Sequence, residues 1–581
     1  MRTLVWGWIR RVVALCLLFA LTACTVTPAT PASQLLLSFS DPKTFNSVIS
    51  NEATSQELWA FLFEGLITRN GITSQLEPNL AETWQILDGG KRIVFTLRDN
   101  LKWSDGEALT ADDVLFTFRD VLFNDRIPAG NKDVLRIGDA GALPKVRQLD
   151  RLRIEFELPE PFSPFLDTVG VPILPKHILG PTVSQIGSDG TPRFLSTWGI
   201  DTDVRQIIGC GPYRMVEYRP AERITLERNP HYRKAGQPYI QRVVLNIVDS
   251  TDTSLIQFRS RDLDVLTLRP EDFQLLKREE KRDNFTIYDA GPSLGDRFIQ
   301  FNLNRGRDPK SGKPYVNPVR SKWFNDLAFR QAIAYGLDRP TMIDNVFRGL
   351  GQAQNSPIPV QSPFYLSPQE GLKTYDYNLD KAKSILKDAG YKLNSQGLLL
   401  DPEGNPVRFT MNTNAGNKNR EALGTQVKSD LARLGIQVDF FPIDFNLLIS
   451  KSDARTWECI LLGLTGGLEP NSGANIWRSD GTLHDFNQGA RPGDPPIPGY
   501  VVSDWEKRID QLFITGAREF DTAKRRAIYG EFQQIVQEQL PMIYLVTPQS
   551  LNAVRDRVEG VQPSVTGSVL WNLEALRLHQ T

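Results

Sequence analysis

Residues 75–123 constrain the fold of this 581-residue chain more tightly than any other stretch. Ile93, Phe95 and Leu97 alternate with Val94, Thr96 and Arg98, a two-residue period that predicts a strand. Asp88-Gly89-Gly90 and Asp105-Gly106 supply residues that accept positive φ, so turns bracket that strand. Thr110 stands three residues before Asp113, the spacing of a capping box, and Val114, Phe118, Val121 and Leu122 follow at helical spacing.

The chain is too long for one hydrophobic core, so two or three domains are expected. Its 40% apolar content and mean hydropathy of −0.30 are ordinary for a soluble globular protein. Without Arg2, Arg10 and Arg11 of the amino terminus the charges are 64 basic against 68 acidic, which gives no electrostatic reason to expect nucleic acid.

The amino terminus reads as a targeting segment. Arg10 and Arg11 flank an apolar run, residues 12–21, that is too short to span a bilayer. Leu21-Thr22-Ala23-Cys24 resembles a bacterial lipobox, in which the cysteine thiol takes a diacylglyceryl group. Residues 1–23 are therefore expected to be a signal peptide, and residues 24–34, rich in Thr, Pro and Ala, a lipidated tether. A plain secretory signal with a chance cysteine is the alternative. More than one acyl chain makes such an anchor durable. The expected location is extracytoplasmic, in the periplasm, on a membrane reached through Cys24. No later window approaches the run of about eighteen apolar residues of a membrane span. Cys210 and Cys459 remain in the body and are expected to be buried and unpaired, since a chain this large needs no bridge.

Residues 78–84, PNLAETW, followed by residues 95–119, FTLRDNLKWSDGEALTADDVLFTFR, resemble the signature of the family 5 extracytoplasmic solute-binding proteins. These are the oligopeptide, dipeptide and nickel receptors of ABC importers. Further matches run along the body. Asp41-Pro42-Lys43-Thr44-Phe45-Asn46 resembles the family's DPxTFNP element, which approaches the ligand in relatives. Pro175-Lys176-His177 resembles LPKH, where the histidine is a structural hydrogen-bonding residue. Residues 227–232 correspond to RNPxYW, with Arg233 in the tryptophan's place. Arg261-Asp262-Leu263-Asp264 resembles a G-x-I-D strand entry with arginine replacing glycine, and residues 329–340 resemble RQAIxYAIDR.

The resemblance implies an α/β fold: a two-lobe periplasmic-binding-protein clamshell, type II-like with mixed sheets, carrying an extra subdomain inserted in lobe one. The expected boundaries are lobe I at 35–67, 207–290 and 546–581, the inserted subdomain at 68–206, and lobe II at 291–545. Periodicity agrees with a mixed α/β sheet. Strands are expected over 35–39, 152–158, 243–248, 299–304, 436–440 and 542–546. Helices are expected over 57–66, from 254, and over 325–337, 378–390, 425–434 and 522–539. The proline-rich residues 159–181 cannot form one continuous element.

Enzyme motifs are weak. Gly291-Pro292-Ser293-Leu294-Gly295 matches G-x-S-x-G, but a nucleophile elbow needs a helix after it and a strand is expected there. Residues 306–313, GRDPKSGK, carry one residue too many for a phosphate loop. His177, His231, His484 and His579 are scattered, so no built-in metal site is expected. Asp112 and Asp113 suit a helix start better than catalysis.

Residues 461–487 invite a binding reading. They follow an apolar strand, are rich in glycine and hold Trp477, whose alternative is a core tryptophan. In peptide receptors of the family the matching loop lines the cleft, and an aspartate there pairs with the peptide's amino group. Here Gly467 or Leu468 takes that place, with Glu469 just beyond. The candidate ligand-binding residues are Thr44, Phe45, Asn46, Asn302, Thr465, Gly466, Gly467, Glu469 and Trp477, with no catalytic residue and no cofactor. The expected function is capture of a solute, foremost an oligopeptide, for a membrane permease, by a monomer that closes on its ligand. Receptors for an oligosaccharide, an opine or a nickel chelate are alternatives, His484 being the residue that keeps the chelate open. A lipoprotein hydrolase and a peptide-gripping chaperone are alternatives of other classes.

Overall fold

The computed structural model describes residues 33–50, 53–248, 250–491 and 493–579. The expected signal peptide, Cys24 and nearly all of the tether lie outside them. Among the described residues no helix is long and apolar enough to cross a membrane.

Gln34–Phe39 lies inside an eight-stranded sheet, parallel to Arg242–Ile247 on one side and Val265–Thr267 on the other. Leu35, Leu37 and Phe39 bury one face of the strand, while the Leu36 N–H donates to Asp264 Oδ2 at 2.8 Å. Arg557 pairs with the same carboxylate at 2.6 Å, so the C-terminal segment is tied to the first strand. Outward on one side run Arg223–Arg228 and Tyr213–Arg219; on the other run Val546–Arg555 and Phe285–Pro292, with Gly351–Ala353 pairing Val546–Arg555 as the eighth strand, all antiparallel to their neighbours.

A five-stranded sheet forms the second lobe, in the order Gln437–Ile443, Arg408–Asn414, Cys459–Leu462, Phe298–Phe301, Met542–Tyr544. The first three strands are parallel and the last two antiparallel. Helices Leu327–Gly336, Lys418–Ala432 and Thr522–Gln539 supply buried side chains such as Phe329, Leu423 and Phe532 to its core. The inserted subdomain is a four-stranded antiparallel sheet, Ala81–Leu87, Arg92–Leu97, Arg153–Glu157 and Lys145–Gln148. Ile93, Phe95 and Leu97 are 3%, 0% and 1% exposed, as the alternation predicts. The fold is the mixed α/β clamshell with a subdomain inserted in its first lobe. Cys210 and Cys459 are buried and free.

The capping box is present: Thr110 N–H donates to Asp113 Oδ2 at 2.9 Å and Thr110 Oγ1 accepts from Asp112 N at 3.3 Å. The helix it starts does not run on in α form. After Ala111–Leu115 the ladder widens to a π-helix over Phe116–Leu122. The Thr117 hydroxyl donates to Asp113 O at 2.8 Å and accepts from Leu174 N, so a side chain enters the backbone ladder. The helix expected over 57–66 is Ala53–Leu62, because Gly211 N–H claims the Leu62 carbonyl at 2.8 Å. The helix expected over 325–337 is two, Pro318–Asn325 and Leu327–Gly336, broken where Asp326 caps the second. Arg233, standing where the resemblance puts tryptophan, pairs with Glu64 at 2.7 Å and bonds Asn79 of the PNLAETW stretch.

Two segments cross between the lobes. Phe285–Pro292 leaves the first sheet for Phe298–Phe301 in the second, and Met542–Tyr544 returns to Val546–Arg555. They run side by side: Ser293 N–H donates to Pro548 O at 2.8 Å and Leu545 N–H to Arg297 O at 2.8 Å.

Arg261, at the strand entry where glycine is usual in the resemblance, has φ +72° and an exposed side chain. A left-handed backbone costs an L-residue about 1–2 kcal/mol, and glycine's extra entropy returns roughly half of that. Arg261→Gly is expected to gain about 0.5–1 kcal/mol in urea unfolding; a loss would show that the arginine side chain contributes more than the strain costs.

Candidate ligand-binding site

Beside the paired crossovers lies a cavity of about 820 Å³, a size that suits a small molecule or short peptide. Its first-lobe wall includes Phe39 and Asn552 from the eight-stranded sheet, Phe61 from Ala53–Leu62, and Trp571 from the C-terminal segment. Ser293, Arg297 and Asn419 close it from the crossover and the second lobe. Trp571 is held by its indole N–H, which donates to Gln562 O at 2.8 Å, and by Gly71 of the inserted subdomain. A Cβ on Gly71 would come within 2.3 Å of the indole ring, so only glycine lets the two segments meet.

None of the nine sequence-nominated residues lines this cavity. Phe45 and Asn46 are each 1% exposed and anchor the turn to the inserted subdomain. Phe45 N–H donates to Trp198 O at 2.8 Å, Thr44 Oγ1 to the same carbonyl at 3.3 Å, and Asn46 Nδ2 to Phe194 O at 3.0 Å. Asn302, nominated from the residues just after the strand Phe298–Phe301, is internal. Asn302 Nδ2 donates to the carbonyls of Arg455 and Trp457, and Gln300 and Asn304 are equally buried. Thr465 is exposed, and Gly466 packs on the crossover, where a Cβ would lie 2.0 Å from Leu294 O. Gly467 packs against Ser472.

Glu469 is not available to a ligand's amine. Arg525 Nη2 donates to Glu469 Oε1 at 2.6 Å with both side chains 9% exposed, and the same oxygen accepts from Asn471 N at 3.2 Å. Trp477 takes its core alternative, packed on Phe486 and Phe532. His484 is fully buried between Glu506 Oε1 and Ile476 O, each at 2.9 Å, so it does not reach a cargo. Ser293 does line the cavity, but a strand rather than a helix follows it, and its Oγ accepts from Gly295 N at 3.1 Å. Residues 306–313 form a turn in which Asp308 accepts from Lys310 N and Ser311 N. His177 bonds Asp105 at 2.8 Å, the structural role expected of it.

Sequence reasoning missed Arg297 on the cavity wall, together with Arg420 and Asp296, which do not line the cavity. Arg297 Nη1 donates to Gly295 O at 3.0 Å, and Arg420 donates to Asn414 Oδ1 at 2.7 Å and Gly463 O at 3.3 Å. Burial, with the Arg420 charge adding to it, pulls the Arg297 guanidinium down to about 10. Desolvation pushes the neighbouring Asp296 carboxyl up to about 7, against a hydrogen bond from Gln354 Nε2 at 2.5 Å. A lone arginine ahead of a strand carries no periodicity or motif that could have marked it.

Two α/β lobes joined by side-by-side crossovers, with a walled cavity at the crossing, define a two-lobe solute-binding protein. Residues 75–484 match the family described as bacterial extracellular solute-binding proteins, family 5 Middle, and the chain belongs to that family. A probable ABC transporter-binding protein of Deinococcus radiodurans is 28% identical over 552 residues, 90% of this chain and 87% of its own. The oligopeptide-binding protein AppA of Bacillus subtilis, solved with a nonapeptide, superposes with a TM-score of 0.76 at 23% identity, covering 94% of this chain and 98% of that one. The periplasmic binding protein MelB of Agrobacterium fabrum C58, solved with stachyose, gives 0.77 at 21% identity, covering 94% and 85%.

Removing one partner of a buried ion pair strands the other, so Glu469→Gln is expected to cost about 3–5 kcal/mol in denaturant unfolding. Asp296 binds its proton in the folded state up to about 7, against an ordinary value of 3.8, so the group subtracts stability as pH rises through that interval and adds no further change above it. Asp296→Asn should flatten the fall in unfolding free energy between about pH 4 and pH 7. Asp485, pushed up to about 6 by burial, leaves a residual slope of the same sign.

Proposed function

We propose that this protein is the extracytoplasmic receptor of an ABC importer, capturing a peptide-like solute between its lobes and passing it to a membrane permease. One observation carries the reading: the cavity of about 820 Å³ lies where the chain crosses between lobes and is walled from both sides. A ligand touching both walls binds the closed form better than the open one, and so shifts the population toward closure. Family membership and the nonapeptide complex of the structural neighbour support peptides. Phe61 and Trp571 on the wall, with the stachyose complex of the other neighbour, favour an oligosaccharide as the second reading.

The receptor works as a monomer, held at the membrane through a lipid on Cys24 after removal of residues 1–23. It carries out no reaction on its cargo: Ser293 is followed by a strand, and among the described residues its Oγ has no side-chain base within hydrogen-bond distance. Residues 35–67, 207–290 and 546–581 act as the first lobe, 68–206 as its inserted subdomain and 291–545 as the second lobe.

Mass spectrometry of material released from the purified protein is expected to give short peptides. Adding them back at about 100 times their Kd should raise unfolding stability by about 2.7 kcal/mol, and solution scattering should show contraction. A solute that stabilises without contraction would remove the closure mechanism, and a released oligosaccharide would establish the second reading.

A further inference from the structure

We propose that the inserted subdomain is a latch on the second lobe: contacts outside the ligand cavity draw the lobes together before cargo enters, and so set the concentration at which cargo binds. The inference rests on the receptor reading and concerns the control of that same site.

Helix Asp504–Arg518 carries the main contact. Its Ile509, Leu512 and Phe513 pack in the core of the second lobe. Ala517, one turn further on, packs instead in the core of the first lobe and its insert, and is 5% exposed. The helix therefore runs out of its own lobe and ends in the other. The last carbonyls of a helix have no partner within it, and here the insert supplies one: Ser163 N–H donates to Ala517 O at 2.7 Å. Arg518, the final residue, holds Glu160 in a two-pronged pair, Nε to Oε1 at 2.7 Å and Nη2 to Oε2 at 2.6 Å, with Asp139 at 3.5 Å beside it.

Two further contacts come from other loops of the insert. Phe520 lies against the turn Asp88–Gly90, where a Cβ on Gly90 would come within 2.5 Å of its ring. The turn Gly130–Leu135 meets the second lobe through Thr482 Oγ1, which donates to Asp133 Oδ2 at 2.9 Å, and Asn471 Nδ2, which donates to Val134 O at 3.4 Å. None of these residues lines the cavity.

An exposed ion pair alone is weak. Three contacts that close in one movement are stronger together, because the first to form brings the others to a high effective concentration. A ligand that binds only the closed form has an apparent Kd equal to its intrinsic value divided by the closed fraction. Contacts that raise this fraction tighten binding without touching the cargo, and cargo then completes a closure that the latch has made partial. Loosening the latch weakens the binding of every cargo by one common factor, which a change in the cavity wall does not do.

The test follows the full mature chain by solution scattering, after dialysis against dilute guanidinium chloride has cleared bound solute. Arg518→Glu sets a carboxylate against Glu160 and Asp139, and is expected to enlarge the cargo-free radius of gyration. Adding Glu160→Arg to that variant should restore the wild-type radius, because the pair is rebuilt with its charges exchanged. Arg205→Glu, whose ion-pair partner Asp203 lies within the insert, should leave the radius unchanged. Ala517→Glu places a charge in the buried contact and should open the lobes further. The concentration of casein-digest peptides that gives half-maximal contraction should rise about three- to tenfold in Arg518→Glu, and the same factor is expected for stachyose. If Ala517→Glu does not fold, the Arg518 and Glu160 variants decide the matter, since those side chains are 41% and 25% exposed.

Equal cargo-free radii for the wild type and Arg518→Glu overturn the latch, and leave the receptor reading standing if casein peptides contract both. A charge exchange that fails to restore the radius also overturns it. If the radius responds to the reversal and the exchange while neither casein peptides nor stachyose contract any form, the latch stands and the receptor reading falls.

Discussion

The lobes of this protein are joined by two short lengths of backbone that hydrogen-bond to each other. Ser293 N–H reaches Pro548 O, and Leu545 N–H reaches Arg297 O. Gln354 reinforces the pair: its own N–H donates to Leu545 O, and its side-chain carbonyl accepts from Arg297 N at 3.1 Å. Because the crossovers are adjacent, bending them changes the angle between lobes without tearing either sheet. The cavity lies against them, so its volume is the quantity that such bending controls. Everything that makes the molecule a receptor follows from where those few peptide groups are paired.

The inserted subdomain and the C-terminal segment complete the walls from far along the chain. Gly71 lets the Trp571 ring come close to the inserted subdomain, and Arg557 locks the same terminal region to Asp264 beneath the first strand. The insert also touches the second lobe. Ser163 N–H donates to Ala517 O at 2.7 Å, and Arg518 grips Glu160 through Nε at 2.7 Å and Nη2 at 2.6 Å. Exposed pairs of this kind add little stability.

Charge is distributed unevenly between spent and unspent groups. Glu469 with Arg525, and His484 with Glu506, are closed pairs inside the second lobe. Among the described residues Arg339 has no carboxylate within ion-pair distance, and it donates to the carbonyls of Ala334, Tyr375 and Tyr544. The Arg297 guanidinium has one hydrogen-bond partner among the described residues, the Gly295 carbonyl.

Much of the secondary structure was legible in the chain. Ile93, Phe95 and Leu97 bury one face of a strand, Thr110 and Asp113 close a capping box, and residues 75–484 carry the family's pattern. These features depend on residues a turn or a strand apart, so sequence alone determined them, together with the two-lobe class. The site was not legible in this way. Asn302, Glu469 and Trp477 have the right chemistry for a cleft, yet their partners are the Arg455 carbonyl, Arg525 and Phe532, brought up by packing from distant positions. Arg297 and Trp571 line the cavity because crossovers and Gly71 place them there. Whether a polar side chain is consumed internally or left for a ligand is a matter of long-range partners, and only the tertiary structure decided it.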